Sequence, residues 1–488
     1  MSEAGERSHG PPPSGAGAPG HRHGNWGLWE AGALGHLAVM LVGTSWAFGG
    51  QAPWVRTALL AWGTVGMAWF AAGWIRRELG SPAERWTPLR DLWPLFLFDL
   101  VVAASCFNPS FRAATADGEA YYVVSEPARA WLPSTARPDL SLQALWLLNA
   151  IVLSAYQACL VVARRSRLRL LLLVVAGNAV ALAIFGTFQK LVRADGLWFG
   201  LVPSPQAYFF STFVYHNHWG AFTLLNLAAC LGLLFHFLRH GGPRDLWHSP
   251  VPAMAVAALL LAASLPLSAS RSSSALGCLF LFGALAHFLV RLVRRRREFG
   301  ESAALPLAGI LAAAVVALSA VLYLSRAVIR QRADLTVEQV ARMRTEDRLD
   351  ARLELYRDTL RMARDKPWFG WGLDTYGDVF RIYNSFPTPV RGGFKPYYRE
   401  AHNDWLQSLA ETGAVGTLLL ALTGLVPLWR TPGRGWRSPL PRYLLAGCAI
   451  ILLYATFEFP FANPSVAIGF WTSLFVARRY AVLDTRSA

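Results

Sequence analysis

Acidic side chains are scarce in this sequence. Across 488 residues, 30 Asp and Glu stand against 46 Lys and Arg, and charged residues of both signs make up only 16%. That shortage argues against a set of soluble domains. With 54% hydrophobic residues and a mean hydropathy of +0.32, it points to a polytopic membrane protein. The formal charge of +16 does not indicate nucleic acid, because most arginines sit in short clusters beside apolar runs, as the positive-inside bias produces. Cysteine is rare as well. Cys106, Cys159, Cys230, Cys278 and Cys448 lie in or beside apolar runs, are odd in number and form no C-x-x-C. A disulfide framework and a zinc site are both excluded on that pattern.

Two further absences matter. No repeat at solenoid periods is present. No cleaved signal peptide is expected, since the first apolar run starts near Ala31, continues for about a full span and precedes no small-residue cleavage pattern. Residues 1–28, opening "MSEAGERSHGPPPSGAGAPGHRHG", are rich in Pro, Gly and Ser and read as a disordered segment.

What the sequence does have is apolar runs. At about 20 residues per span, they predict about twelve transmembrane helices: 32–48, 57–75, 93–107, 142–163, 168–188, 219–238, 251–268, 275–293, 305–324, 405–428, 443–459 and 465–476. The third and the last are short. Arginine clusters at 76–77, 164–169, 294–297, 430–437 and 478–479 all fall on one side of this count, which is then the cytoplasm. The chain divides into nine helices over 29–324, a large loop over 325–403, three helices over 404–480 and a cytoplasmic tail over 481–488. That loop is too long for a mere connection. Its first part, "LTVEQVARMRTEDRLDARLELYRDTLRMARDKPWFG", has helix-forming composition, and an aromatic, Gly-rich section follows.

Polar chemistry gathers where external loops become spans. "YYREAHNDWLQSLAETGAVG" brings His402, Asn403, Asp404, Gln407, Ser408 and Glu411 to such a junction, suiting a site that takes one reactant from lipid and another from water. Histidine is the side chain best suited to general-base work at neutral pH, and His402 is the candidate here. On a helix beginning here, Asp404 lies on another face, so a partner for His402 must come from elsewhere. The bland alternative is an interfacial histidine that only hydrogen-bonds. Arg271, in "PLSASRSSSALG", sits at a span end, where an arginine is paired, snorkelling or functional. In "RLELYRDTLRMARDKPWFGWG", Arg352, Tyr356 and Thr359 share a helix face, while Arg357 points elsewhere; solvated arginines are the ordinary reading of such a helix. Pro367 ends that helix, and Gly370 and Gly372 permit a tight turn or close backbone approach. "FVYHNHWGAF" places His216, Asn217 and His218 at another junction, a weak pattern for a metal, and none is expected. Asp99 and Glu458 are ionisable groups in apolar runs, each a functional candidate or a structural partner to an arginine. Arginines at a lipid boundary match phosphate oxygens and can neutralise a departing diphosphate without a divalent ion.

Together these four segments resemble the O-antigen ligase and polymerase superfamily, which also includes bacterial O-linked oligosaccharyltransferases. The likeness runs over roughly residues 189–429. The resemblance implies an all-α, C-type glycosyltransferase-like fold of about twelve helices in the bacterial inner membrane. A large periplasmic loop separates helices 9 and 10. It implies metal-independent, inverting transfer of a glycan from undecaprenyl diphosphate, with no cofactor. His402 falls on the family's catalytic histidine, and Arg271 and Arg352 on its diphosphate-binding arginines, with Arg357 the alternative to Arg352. Asn217 and His218 match an Asn/His pair, and Asp404 is a further supporting candidate. The acceptor stays open between a lipid A core sugar, a growing glycan and a protein, with the ligase-like reading favoured. A transporter or flippase for the same lipid is the reading from a different class. Against it, the polar cluster sits at one face and no matching second half is found.

Overall fold

The computed structural model describes residues 24–78, 87–116, 119–206, 208–240, 248–346, 351–386 and 396–485. The expected disordered segment 1–28 lies outside these up to residue 23, and residues 24–28 already belong to a helix. Among the described residues there are fourteen α-helices. The first six are α1 (Gly24–Trp46), α2 (Pro53–Glu78), α3 (Thr87–Cys106), α4 (Pro138–Val161), α5 (Arg165–Leu191) and α6 (His216–His240). Then come α7 (Val251–Leu267), α8 (Arg271–Glu298), α9 (Ala304–Glu346), α10 (Ala351–Asp365) and α11 (Tyr376–Tyr383). The chain closes with α12 (Asp404–Trp429), α13 (Pro439–Tyr454) and α14 (Pro464–Thr485). Eight of these are long and apolar enough to cross a membrane, and α7 and α13 are shorter apolar helices. This is an all-α polytopic membrane protein.

Three boundaries differ from the sequence reading, each for a physical reason. The third and last apolar runs look short, yet α3 has 20 residues and α14 has 22. Their charged ends are buried and paired, so counting apolar residues truncates them. Arg478 Nη2 lies 2.5 Å from Asp91 Oδ2, Tyr156 donates to that same oxygen at 2.5 Å, and Arg430 stands 3.4 Å from Oδ1. A buried carboxylate needs such partners. Next, α9 does not stop at residue 324 but runs unbroken to Glu346, because the charged stretch that follows is built from strong helix formers. Finally, α13 ends at Tyr454, so Glu458 lies beyond the helix, in the connection to α14, and not within a span.

Small residues let the helices approach closely. A Cβ on Gly447 of α13 would lie 2.5 Å from the Ala228 Cβ of α6, and one on Gly63 of α2 would lie 2.4 Å from the Ala150 Cβ of α4. At the face opposite the arginine clusters, two connections form a separate layer with its own core. A hairpin, β1 (Phe111–Ala116) with β2 (Glu119–Val124), lies between α3 and α4 and was not legible in the sequence. Phe111 from this connection joins Leu355, Met362, Trp371, Tyr376 and Phe380 from the segment between α9 and α12. The two parts are tied by Ala136 N–H to the Trp371 carbonyl at 2.7 Å and by Arg137 Nη1 to Asp378 at 2.8 Å.

Candidate functional site

The polar start of α12 is first of all a clamp. Gly413, at φ 65° and ψ −173°, breaks the helix, and the backbone groups freed there bond to the "PWFGWG" segment. Trp371 and Gly372 donate to the carbonyls of Ala410 and Glu411 at 3.0 and 2.8 Å, and Ala414 and Val415 donate to those of Pro367 and Trp368 at 2.8 and 3.1 Å. Contact is backbone to backbone, so side chains are excluded: a Cβ on Gly370 would stand 2.3 Å from the Glu411 carbonyl carbon, and one on Gly413 equally close to that of Trp368. The Glu411 carboxylate accepts the N–H groups of Asp374 and Tyr376, both at 3.1 Å. Gln407 accepts from Ala401 N–H and donates to Glu400, each at 2.9 Å. Asn403 caps α12 by accepting the Leu406 N–H at 3.0 Å.

His402 therefore precedes the helix instead of sharing a face with Leu406 and Leu409. It is held at φ 53°, and its carbonyl accepts the Tyr356 hydroxyl at 2.8 Å. The imidazole meets the Phe459 ring edge-on at 4.5 Å. Its Nδ1 is buried without a hydrogen bond, 3.9 Å from Glu458 Oε2. Arg352 holds the same carboxylate, donating Nη2–H to Oε1 at 2.7 Å and Nη1–H to the Phe457 carbonyl at 3.1 Å. Glu458 is 3% exposed. Burial alone would raise its carboxyl pKa, but His402 and Arg352 beside it outweigh that and hold it below the usual carboxylate range. The Arg352–Tyr356–Thr359 face of α10 thus meets the site, with Thr359 bonding the Tyr376 hydroxyl at 2.7 Å.

The network continues to the start of α8. Tyr215 donates to Glu458 Oε2 at 3.4 Å, Asn217 Nδ2 donates to the Tyr215 oxygen at 2.8 Å, and the Ser270 hydroxyl donates to Asn217 Oδ1 at 2.6 Å. Burial, then the charge of Glu458, pushes the Tyr215 phenol well above its ordinary value. Arg271 follows Ser270 directly and is exposed as the first residue of α8. His402 and Arg352 thus share one carboxylate, and Arg271 adjoins the chain of hydrogen bonds leading from it. His218 is buried and bonds the Phe459 carbonyl at 3.2 Å, whereas His216 bonds that of Tyr208 at 3.2 Å, so the two imidazoles serve different partners. Asp404 does not touch His402; its carboxylate accepts the Phe461 N–H at 2.9 Å. Arg357 is exposed and stands outside the network. Asp99 accepts from Asn149 at 2.8 Å, remote from these groups in the hydrogen-bond pattern. Tyr215 was missed by sequence reasoning, although its place beside "HNH" was a usable signal.

Residues 256–421 match the family model described as O-antigen ligase. Over that stretch the chain is similar to the O-antigen ligase family. No curated protein matches it. The O-antigen ligase match encloses Arg271, Arg352, His402 and the glycine clamp, while Tyr215, Asn217 and Glu458 fall outside it. That family is of membrane glycosyltransferase or ligase type, and the network described above lies at the face away from the arginine clusters.

Proposed function

We propose that the protein transfers a glycan from a polyprenyl-diphosphate donor, undecaprenyl diphosphate, to an acceptor hydroxyl at the periplasmic face of the bacterial inner membrane. The observation that supports this reading is one buried carboxylate, Glu458, lying 2.7 Å from Arg352 and 3.9 Å from His402. With Nδ1 turned toward Glu458, the other ring nitrogen of His402 is left for the acceptor. It takes the hydroxyl proton as the acceptor oxygen bonds to the anomeric carbon and the bond from that carbon to the diphosphate oxygen breaks, with inversion. Glu458 stabilises the imidazolium so formed. Arg271 and Arg352 neutralise the diphosphate as it leaves, which is where negative charge gathers in such a reaction. The loop 325–403, between the ninth and tenth spans, supplies the acceptor side of a C-type glycosyltransferase-like site.

The acceptor is a sugar of the lipid A core, as in O-antigen ligation. Deletion in the native host tests this: loss of long-chain lipopolysaccharide with accumulation of lipid-linked polymer is the expected outcome. Capping by single repeats would make it a polymerase, and loss of protein glycosylation would make it a protein oligosaccharyltransferase. Unchanged glycans with donor trapped on one leaflet would overturn the enzyme in favour of a flippase.

A further inference from the structure

The arginine-rich face holds a feature that the transfer reaction does not use. The end of α6, the second half of α8 and the start of α13 enclose a cavity of about 500 Å3, lined by Arg239, His287, Arg291, Arg437, Arg442 and Tyr443. A second cavity of about 530 Å3 shares Arg239, His287 and Arg291 and extends along α8 past Arg294, Arg295 and one carboxylate, Glu298, so its lining stays cationic on balance. Elsewhere on this face some guanidinium groups are matched by carboxylates, while Arg479 bonds the Val162 carbonyl and Arg169 the Tyr480 hydroxyl. Arg165 pairs with Asp484, Arg296 with Glu301 at 2.7 Å, and Arg478 with Asp91 at 2.5 Å. Here the arginines are held by carbonyls instead. Arg239 donates to the Arg437 carbonyl at 3.4 Å, Arg291 to that of Leu238 at 3.2 Å and Arg442 to that of Trp436 at 2.5 Å. Among the described residues, none of the four cavity arginines forms an ion pair with a carboxylate.

Carbonyl bonds fix a guanidinium in place without cancelling its charge. Three such groups, with Arg437 beside them, converge on one concavity, repel one another and are relieved by an anion, best by a phosphate that accepts several N–H groups together. The walls add a second requirement. His287 stacks on Phe235 at 4.4 Å and bonds the Tyr443 hydroxyl at 2.9 Å through Nδ1, giving a flat, rigid flank. Val290 and Phe299, lining the second cavity, are 50% and 70% exposed. A cationic concavity opening onto exposed apolar side chains at the end of membrane helices fits an amphiphile.

We propose that this cavity binds the phosphate headgroup of an anionic phospholipid from the leaflet on the arginine-rich side, with Arg239, Arg291 and Arg442 on the phosphate and the acyl chains along Val290 and Phe299. It is a site apart from that around Glu458, on the opposite face. Purified full-length protein in neutral detergent is titrated with phosphatidylglycerol, phosphatidylcholine or inorganic phosphate, reading bound lipid by native mass spectrometry and stabilisation by thermal unfolding. Phosphatidylglycerol is expected to bind and stabilise, and the other two are not. Arg239→Gln with Arg442→Gln weakens that binding, roughly fivefold per arginine removed. Arg434→Gln, on the same face outside the cavity, leaves it unchanged. Should the double variant not fold, the two single variants at these exposed positions carry the same test. The proposal is overturned if phosphatidylcholine binds equally, if inorganic phosphate alone gives the stabilisation, or if Arg434→Gln weakens binding as much as the cavity variants.

Discussion

Glu458 accepts Arg352 Nη2–H at 2.7 Å through one oxygen and leaves the other 3.9 Å from the His402 ring. One buried anion thus stands between two groups that carry or gain positive charge. In the proposed reaction, a diphosphate that draws Arg352 toward itself would leave the carboxylate to the imidazolium, coupling donor arrival to proton uptake through Glu458. Glu458→Gln should lower transfer by up to about 10⁴-fold, by analogy with removing the orienting carboxylate of a catalytic histidine. The sign of the pH effect follows from its depressed pKa. The stabilisation is present above the unfolded carboxylate value and is lost as pH falls through the lower folded value. Thermal unfolding against pH should show that acid loss in the native protein and not in Glu458→Gln.

His402 should be tested by asparagine and not alanine. Its φ of 53° is left-handed, a conformation asparagine accepts better than other residues. His402→Asn should keep the fold and donor binding while turnover falls about 10²–10⁴-fold. Retained turnover in a transfer assay with lipid-linked donor would remove the general-base role.

Removing Arg352 alone leaves a carboxylate that is 3% exposed without its cation. Arg352→Gln should therefore destabilise the protein by roughly 3–5 kcal/mol as well as weaken donor binding. In Arg352→Gln with Glu458→Gln, stability should recover in a melting experiment while donor affinity does not. Recovery of both would make the arginine purely structural.

Glu400 gives a second pH signature. Burial raises its carboxyl to about 7, despite the bond from Gln407. Its protonated form is favoured in the folded protein, so this contribution is complete below the unfolded carboxylate range and is lost as pH rises through about 7. Glu400→Gln should flatten the fall in melting temperature between pH 5 and 8. An unaltered slope would show that another group causes it.

The clamp between "PWFGWG" and α12 admits no Cβ. Gly370→Ala, with its positive φ of 67° and a Cβ 2.3 Å from the Glu411 backbone, should open the outer layer to protease and cost more than about 2 kcal/mol. Gly309→Ala, where nothing lies within 4 Å, is the control and should be neutral.

Much of this was written locally enough to be read in advance. The all-α membrane class follows from apolar runs, although eight described helices are long and apolar enough to span where about twelve were expected, and Arg352, Tyr356 and Thr359 share a face through simple periodicity. Glu458 was visible as an ionisable group in an apolar stretch, with an arginine partner as one of its two readings. Which arginine it meets depends on a contact 106 positions away in sequence, and no local pattern encodes that. Gln407 and Glu411 had looked like reactive chemistry because polarity near a span suggests it. Their oxygens are instead spent on the backbone N–H groups of Asp374, Tyr376 and Ala401, which becomes apparent only once these segments meet. The ends of α3 and α14 were cut short because charges that neutralise each other across the bundle look, residue by residue, like solvent.

The division of the site between matched and unmatched sequence limits how it can be transplanted. Residues 256–421 bring a guanidinium and an imidazole, whereas the anion that keeps them compatible arrives from position 458, after the next helix. A chimera grafting only the matched portion onto a foreign scaffold would import the guanidinium and the imidazole and leave behind the carboxylate that lies between them. Function should travel between relatives only when the α13–α14 turn travels too.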